Sequence, residues 1–492
     1  MDRMKRPLVK RPLVIWFVLP LLAWTAAAPS AAKAQSDNDQ ITEKLYTKIV
    51  QNAIVGTNAD TTGSSIFILA NPGIAIDPAL NPATSQADRK AISRVLDRVP
   101  GPSWIYQEMP YKVSDIYINV LQHHQVAVIT MTAKQKRDLK DANNILFKSG
   151  DPAKGDSKKL KAYKQARATY QDQVNAVEAH RAPDGSVPPE YNQARQDALQ
   201  AWGKKGYKDE IDSALAKRDD LTSLDPDSWF QQLSAAYEAA EESPGTPDQF
   251  EPVGLYPAYA SWSTLKGWAT ITLSADEIHN LQPTSEIRNL QPTNDVGKSQ
   301  PGTNTNIGRS TGVKSELWSY STGASHTNAD TQTHGNVNVS SITMDVLRVG
   351  IDRSWLDGLI FRSQIWRWSP TAPLGSKLIS DGSRPPSTTD ILMPYMPTAI
   401  LVSRNVKISG HVSDVDTKFH SSHMSTSGSL SWGPFAIGGR YEENENAHTF
   451  DSKVDGNGIA IPGYQIIGWY CEVLPKSPNP DLVKYKWPSD TP

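Results

Sequence analysis

Between Pro110 and Pro152 the chain has no proline, and Val113, Ile116, Tyr117, Val120, Leu121, His124, Ala127, Val128, Met131, Leu139, Ala142 and Leu146 follow one another in steps of three and four with one gap. Steps of three and four trace one face of a helix, so this spacing predicts a single long helix of about 50 Å at 1.5 Å per residue. The first half is rich in β-branched residues, which makes a strand over Ile116–Thr130 the competing expectation. After the loop at Gly150–Gly155, a near-heptad rhythm continues through Leu160, Tyr163, Arg167, Tyr170, Val174 and Val177. Further helices are predicted over Pro189–Trp202, Asp209–Leu221 and Pro226–Glu242.

Upstream the pattern is mixed. A helix is predicted over Ile41–Val55 and a short apolar strand over Ser65–Ala70, ending at the turn Asn71-Pro72-Gly73. A second helix over Ser85–Val99 has Ser85 to cap it and Pro100-Gly101-Pro102 to stop it.

From Pro244 onward the rhythm changes to steps of two. Thr264–Ser274 alternates with Leu265, Gly267, Ala269, Ile271 and Leu273 on one face. In Thr343–Asp352, Met344 and Val346 are followed by Leu347, Val349 and Ile351 displaced by one, which predicts a β-bulge. Further strands are predicted over Thr398–Val412, with Ile400, Val402, Val406 and Ile408 in step, and over Ser427–Tyr441 and Gln465–Leu474. Asp455-Gly456-Asn457-Gly458 has the chemistry of a hairpin turn. Glu277–Ser285 is nearly repeated as Glu286–Asn294, and such a duplication is tolerated only in an exposed loop.

These rhythms define an α+β chain. A mixed segment over 35–110 precedes an α-helical hairpin or bundle module over 111–243, and an antiparallel, sandwich-like β domain follows over 254–476. A proline-rich tail closes the chain at 477–492, and the first segment is placed to complete the β domain across the helical insertion.

Charge adds two things to this picture. Residues 133–181 hold 12 Lys/Arg and 6 Asp/Glu, whereas residues 190–242 hold 6 and 12. A basic arm followed by an equally acidic one predicts an antiparallel fold-back. At the N-terminus, Arg3, Lys5, Arg6, Lys10 and Arg11 precede an apolar run of 16 residues, Leu13–Ala28, and Ala32-Lys33-Ala34 supplies small side chains for a signal peptidase. The run is shorter than the roughly 20 residues of a spanning helix, so export with cleavage after Ala34 is expected. The cleaved chain would carry 44 Lys/Arg against 51 Asp/Glu, net −7, which gives no electrostatic reason to expect nucleic acid as a partner. Cys471 is the only cysteine and lies in an apolar run, so an intramolecular disulfide is excluded and burial is expected.

Candidate chemistry is sparse. Gly308-Arg309-Ser310-Thr311-Gly312 matches a nucleophile-elbow pattern but follows a loop and precedes a strand pattern, the wrong setting for that motif. His411, Asp414, Asp416, His420 and His423 crowd into 13 residues, yet on a strand positions 420 and 423 point to opposite faces. A polar surface rather than a metal site is the expectation there, and no cofactor motif stands out. The densest aromatic and arginine run contains Arg353, Trp355, Arg362, Trp366, Arg367 and Trp368. Indole faces stack on sugars or lipid headgroups and guanidinium groups add forked donors, but the same residues also seal a core. Within the run, Asp352 is placed to pair with Arg353 and Asp357 with Arg362. Ser/Thr-rich alternation over Lys314–Thr343 and Ser409–Ser431 marks strands without a strongly apolar face; a polar outer sheet of a β-sandwich is the expectation there, and segments of the kind that convert to membrane barrels are the competing one.

The leading expectation is an exported, non-enzymatic protein that engages a protein partner or a lipid surface. A glycan or envelope-polymer binder using the Trp/Arg run is the second, and a secreted hydrolase with a site assembled from distant residues is the third. Oligomeric state is left open.

Overall fold

A computed structural model of the chain describes residues 41, 44–49, 65–103, 106–129, 132–179, 186–222, 225–247, 249–279, 318–321, 331–334, 338–388, 390–424, 429–441 and 448–488. The expected signal segment, most of the nine-residue repeat and Gly308–Gly312 lie outside these residues.

The protein is α+β and its central element is antiparallel. A seven-stranded sheet runs in the order β1 (Ser65–Ile76), β16 (Gly458–Val473), β11 (Tyr395–His411), β9 (Asn338–Asp352) and β5 (Gly254–Tyr256), with β6 (Ala269–Leu273) also on β9 and β15 (Lys453–Asp455) also on β16. β1 continues through Asn71-Pro72-Gly73 instead of turning there, and its pairing with β16 shifts between Leu69 and Ile74. The mixed N-terminal segment thereby supplies a strand to the sheet built by the C-terminal half.

Both faces of this sheet are covered, and that corrects two readings of periodicity. Met344 and Val346 pack on one face while Leu347 and Val349 pack on the other, so the displaced sets in β9 are opposite sides of one strand. Opposite Thr343–Asp345 the extra residue lies on β11, whose pairing with β9 shifts between Arg404 and Lys407, where Asn405 takes φ 53°; a second shift, between Ser409 and Gly410, falls before Thr343. The shift at Asn405 reverses strand parity. Ile400 and Val402 therefore face one core and Val406 and Ile408 the other, although all four are in step in the sequence.

On one face lies a second sheet in the order β14 (Thr449–Asp451), β13 (Phe435–Arg440), β12 (Ser429–Trp432), β7 (Trp318–Ser321) and β8 (Thr331–His334). Leu430, Trp432, Phe435 and Ile437 fill the space between the sheets, joined by Leu45, Tyr46 and Ile49 from helical residues 44–49 and by Ile278 of α8 (Ala275–His279). Buried Gln465 stitches the layers together: its Nε2 donates to the Ala436 carbonyl at 2.5 Å and its Oε1 accepts from the Ala436 N–H at 3.0 Å. On the opposite face α1 (Gln86–Leu96) packs Ile92, Val95 and Leu96 against Ile66, Ile68 and Ile400. Ser85 Oγ caps α1 by accepting from the Asp88 N–H.

The long helix expected over Val113–Leu146 is broken. After the β2 (Arg98–Pro100) and β3 (Glu108–Lys112) pair, α2 (Val113–His123) stops where β4 (His124–Val126) pairs with β10 (Trp366–Trp368). The His124 ring stacks on Phe230 at 3.7 Å, and burial lowers its pKa. Here a tertiary ladder outcompetes local periodicity. The helix restarts as α3 (Ala133–Leu146) behind a capping box, Thr132 Oγ1 accepting from the Gln135 N–H and Gln135 Oε1 from the Thr132 N–H.

α2 and α7 (Pro226–Ala240) enclose a second core with the 355–379 segment, including Tyr117, Trp229, Phe230 and Phe361. The remaining helices, α4 (Lys158–Ala179), α5 (Pro189–Lys204) and α6 (Lys208–Thr222), form an arm in which α4 lies along α5 and α3 along α6. Its core is small, with Leu146, Leu160, Tyr163, Ile211 and Ala214 buried. Lys159–Glu210 at 2.5 Å joins the basic to the acidic stretch across the fold-back, and Lys217–Asp138 at 3.3 Å crosses it with the signs reversed. Each such exposed pair contributes only about 0–1 kcal/mol. α9 (Asp414–Met424) follows β11. The proline-rich tail folds back onto the body: Asp481 N–H donates to the Gln364 carbonyl at 3.1 Å, and Val128 N–H donates to the Lys486 carbonyl at 2.8 Å.

Gly468, in the middle of β16, makes room for the Phe67 ring on β1, and a Cβ there would overlap the ring. Gly468→Ala is expected to lower stability by about 1–3 kcal/mol in urea denaturation, with part of the loss recovered by adding Phe67→Leu. An unchanged midpoint in the single variant would show that the two strands do not pack this way.

Candidate functional site

The Trp/Arg run is held inside the protein. Trp355 and Trp366 are 1% and 0% exposed, and Trp368 is half-buried. Trp355 Nε1 donates to the Pro252 carbonyl at 3.0 Å, Trp366 Nε1 to Ile360 at 2.6 Å and Trp368 Nε1 to Lys377 at 3.0 Å. Tyr117 and Tyr237 pack against Trp355, and Phe230 and Trp368 pack edge-on against Trp366. A glycan-stacking role for Trp355 and Trp366 is therefore corrected: their faces meet protein, because three aromatic helix residues converge on them.

The arginines are anchors as well. Arg367 Nε donates to Gln125 Oε1 at 2.7 Å, and its guanidinium lies 5.2 Å from the Trp487 ring centre. Arg362 pairs with Glu472. Asp357 pairs with Arg218 of α6 at 3.2 Å, not with Arg362, and that buried arginine also lies over Phe147. Local pairing within the run thus gives way to contacts that bind the arm to the second core.

Arg353 is the most deeply committed. Its Nη1 donates to the Pro397 carbonyl at 2.7 Å and its Nη2 to the Leu96 carbonyl at 2.6 Å, while Nε has no partner among the described residues. Asp97, the C-cap of α1, accepts from the N–H of Ser114 at 3.0 Å and from its hydroxyl. Burial pushes Asp97 up to about 6 despite the opposing pull of Arg353 and Ser114, and burial pulls Arg353 down to about 10. Desolvation outweighs pairing at both groups.

Arg353→Met is expected to lower stability by about 3–5 kcal/mol, measured by chemical denaturation. Asp97 has a folded-state pKa above its ordinary value, so its neutral form contributes stability at low pH that fades as pH rises through about 6. The loss in Arg353→Met is therefore expected to be larger at pH 8 than at pH 5. A pH-independent loss would separate Arg353 from Asp97.

His411 ends β11, whereas Asp414, Asp416, His420 and His423 of the histidine-carboxylate stretch are helical, not extended. Ser413 Oγ donates to Asp416 Oδ2 at 2.6 Å and accepts from the Asp416 N–H, forming the N-terminal box of α9. His420 Nε2 lies 2.9 Å from Asp451 Oδ1, across to β14, and a similar pair joins His448 Nδ1 to Asp77 Oδ2 at 2.9 Å. Among the described residues no group of three or more His, Cys, Asp or Glu is placed to hold a metal ion. Cys471 is buried, with its thiol pKa raised by burial. A small cavity between α1 and the sheet is lined by Ile76, Ile92, Val95, Leu96, Leu255, Ile400 and Ile466, so its walls offer no polar side chain to orient a substrate.

One grouping and two single charges escaped sequence reasoning. Asp345, Arg404 and Tyr464 are register neighbours on β9, β11 and β16, and Trp268 covers them, 4.1 Å from the Arg404 guanidinium and stacked 5.9 Å from Tyr464. Thr270 Oγ1 and Asn405 Nδ2 each donate to Asp345 at 2.8 Å. Only strand register brings these residues together, and register depends on the Asn405 shift. Each of the two charges is half-buried on its own: Arg348 lies above the Tyr470 ring at 4.3 Å, and Asp172 lies on α4. Burial alone raises Asp172 to about 6.

For Asp172 a folded pKa above the ordinary value again means stability lost as pH rises from about 4 through 6. Asp172→Asn is expected to raise the melting temperature at pH 8 and to leave it nearly unchanged at pH 4. An equal gain at both values, or a loss at pH 8, would contradict a desolvated carboxylate on α4.

Comparison with family models, curated proteins and solved structures returns no match.

Proposed function

We propose that the chain is an exported, non-enzymatic recognition protein in which the covered sheet is the scaffold and the arm formed by α3–α6 presents the binding surface to a protein partner. One observation carries this reading: of the 16 residues of α5, Ala198 alone is buried. Helices this short draw most of their stability from tertiary packing, so one that buries so little of itself adds little to the body that holds it. Its outward surface includes Leu199, 43% exposed, and Tyr207 just beyond it, 41% exposed. The arm is nonetheless fixed to the body through Arg218–Asp357. An anchored element that keeps its surface in solvent is pre-organised for a partner, because little ordering remains to be done on binding.

A photo-crosslinking residue at Leu199, in the protein expressed in its own host, is expected to give one discrete adduct with an envelope or extracellular protein, and the same label at exposed Thr270 is expected to give none. N-terminal sequencing of the adduct is expected to begin at Gln35. Equal labelling from both positions, or none from Leu199, would remove the arm from this role. A chain beginning at Met1 would remove the export.

A further inference from the structure

We propose a second contact surface, independent of whatever the arm binds: the C-terminal strap docks the protein on an anionic lipid bilayer, with Leu482 and Val483 entering the interfacial layer. Leu482 is 62% exposed and Val483 99% exposed, at the apex of a turn. Val128, 61% exposed, joins them through the bond from its N–H to the Lys486 carbonyl. Apolar side chains this exposed and this close together in the fold are the mark of an interaction site.

The apex is built, not loose. The Asp481 carboxylate accepts from the N–H of Val483 at 3.1 Å and of Lys484 at 2.8 Å. The Asp481 carbonyl accepts from Trp487 Nε1 at 3.2 Å and from the Tyr485 N–H at 3.3 Å. Tyr485 and Trp487 in turn pack on the second core. Leu482 and Val483 are therefore held outward by a frame that is already ordered, which reduces the entropy lost on docking.

The flanking chemistry selects the occupant. Lys484 and Lys486 are exposed beside the apex, whereas the Asp481 carboxylate is turned to the Val483 and Lys484 N–H groups, so the charges presented outward next to Leu482 and Val483 are cationic although the cleaved chain has net charge −7. Two apolar residues at the tip, lysines beside them and Tyr and Trp one step behind reproduce the layering of a bilayer interface: acyl boundary, anionic headgroup, aromatic belt. A protruding tip also suits a soft, laterally uniform surface.

The test uses the chain from Gln35 onward with vesicles of phosphatidylglycerol and phosphatidylcholine in sedimentation, alongside a Val483→Cys variant carrying an environment-sensitive dye. Sedimentation with phosphatidylglycerol vesicles is expected at low salt, with loss of binding near 0.5 M salt, where the Debye length falls to roughly 4 Å. A blue shift of the dye is expected on the same vesicles. Leu482→Ser with Val483→Ser, and separately Lys484→Gln with Lys486→Gln, are each expected to weaken binding by about tenfold or more without moving the melting temperature, since all four side chains are exposed. No sedimentation at low salt, equal binding to pure phosphatidylcholine, or full binding by the Leu482/Val483 variant would overturn the proposal. So would a loss confined to a protein cross-link with no effect on vesicles, which would give this apex a protein partner.

Discussion

Arg353 sits where three parts of the chain meet, and its two hydrogen bonds to main-chain carbonyls hold them together. Leu96 ends α1, Pro397 belongs to β11, and Arg353 itself follows β9 at the point where the chain leaves the sheet for the second core. Asp97 extends the junction to α2 through Ser114. A guanidinium in such surroundings is costly to desolvate, so its presence requires that the carbonyls around it be positioned by the fold itself. The junction thus makes the sheet, the second core and the entry to the helical arm interdependent, even though sequence periodicity divides them into separate segments.

Periodicity revealed element types well where one face of an element meets solvent. The helices of the arm fall within a few residues of their predicted positions, and Ser85 caps α1 as its chemistry requires. It misled where both faces are covered or where a distant ladder competes. β9 imitated a bulge because both of its sides are apolar, and the real shift at Asn405 leaves no apolar signature. The break at His124 depends on Trp366–Trp368, some 240 residues away. No local pattern encodes such a partner.

The candidate site was legible in composition but not in orientation. Trp355, Trp366 and Arg353 stood out because aromatic and arginine residues are dense there, yet density cannot say whether a ring faces solvent or core. The answer depends on Tyr117, Phe230 and Tyr237, which arrive from α2 and α7. Charge was more informative. The opposed basic and acidic stretches do meet, and Lys159–Glu210 pairs them in the expected sense, because long-range complementarity does not require knowing which strand lies beside which; Lys217–Asp138 crosses the same fold-back with the signs reversed. The Leu482–Val483 apex lay hidden in a tail that composition alone marks as irregular.

The account rests on a division of labour: a sheet and second core locked as one body, and an anchored arm that buries little. Native-state hydrogen exchange tests this most directly, since it resolves the opening free energy of each element. The amides of β11, β16, α2 and α7 are expected to exchange together at the highest opening energy, with α5 exchanging far earlier. Protection of α5 equal to that of β11, or exchange of α2 and α7 well ahead of the sheet, would contradict it.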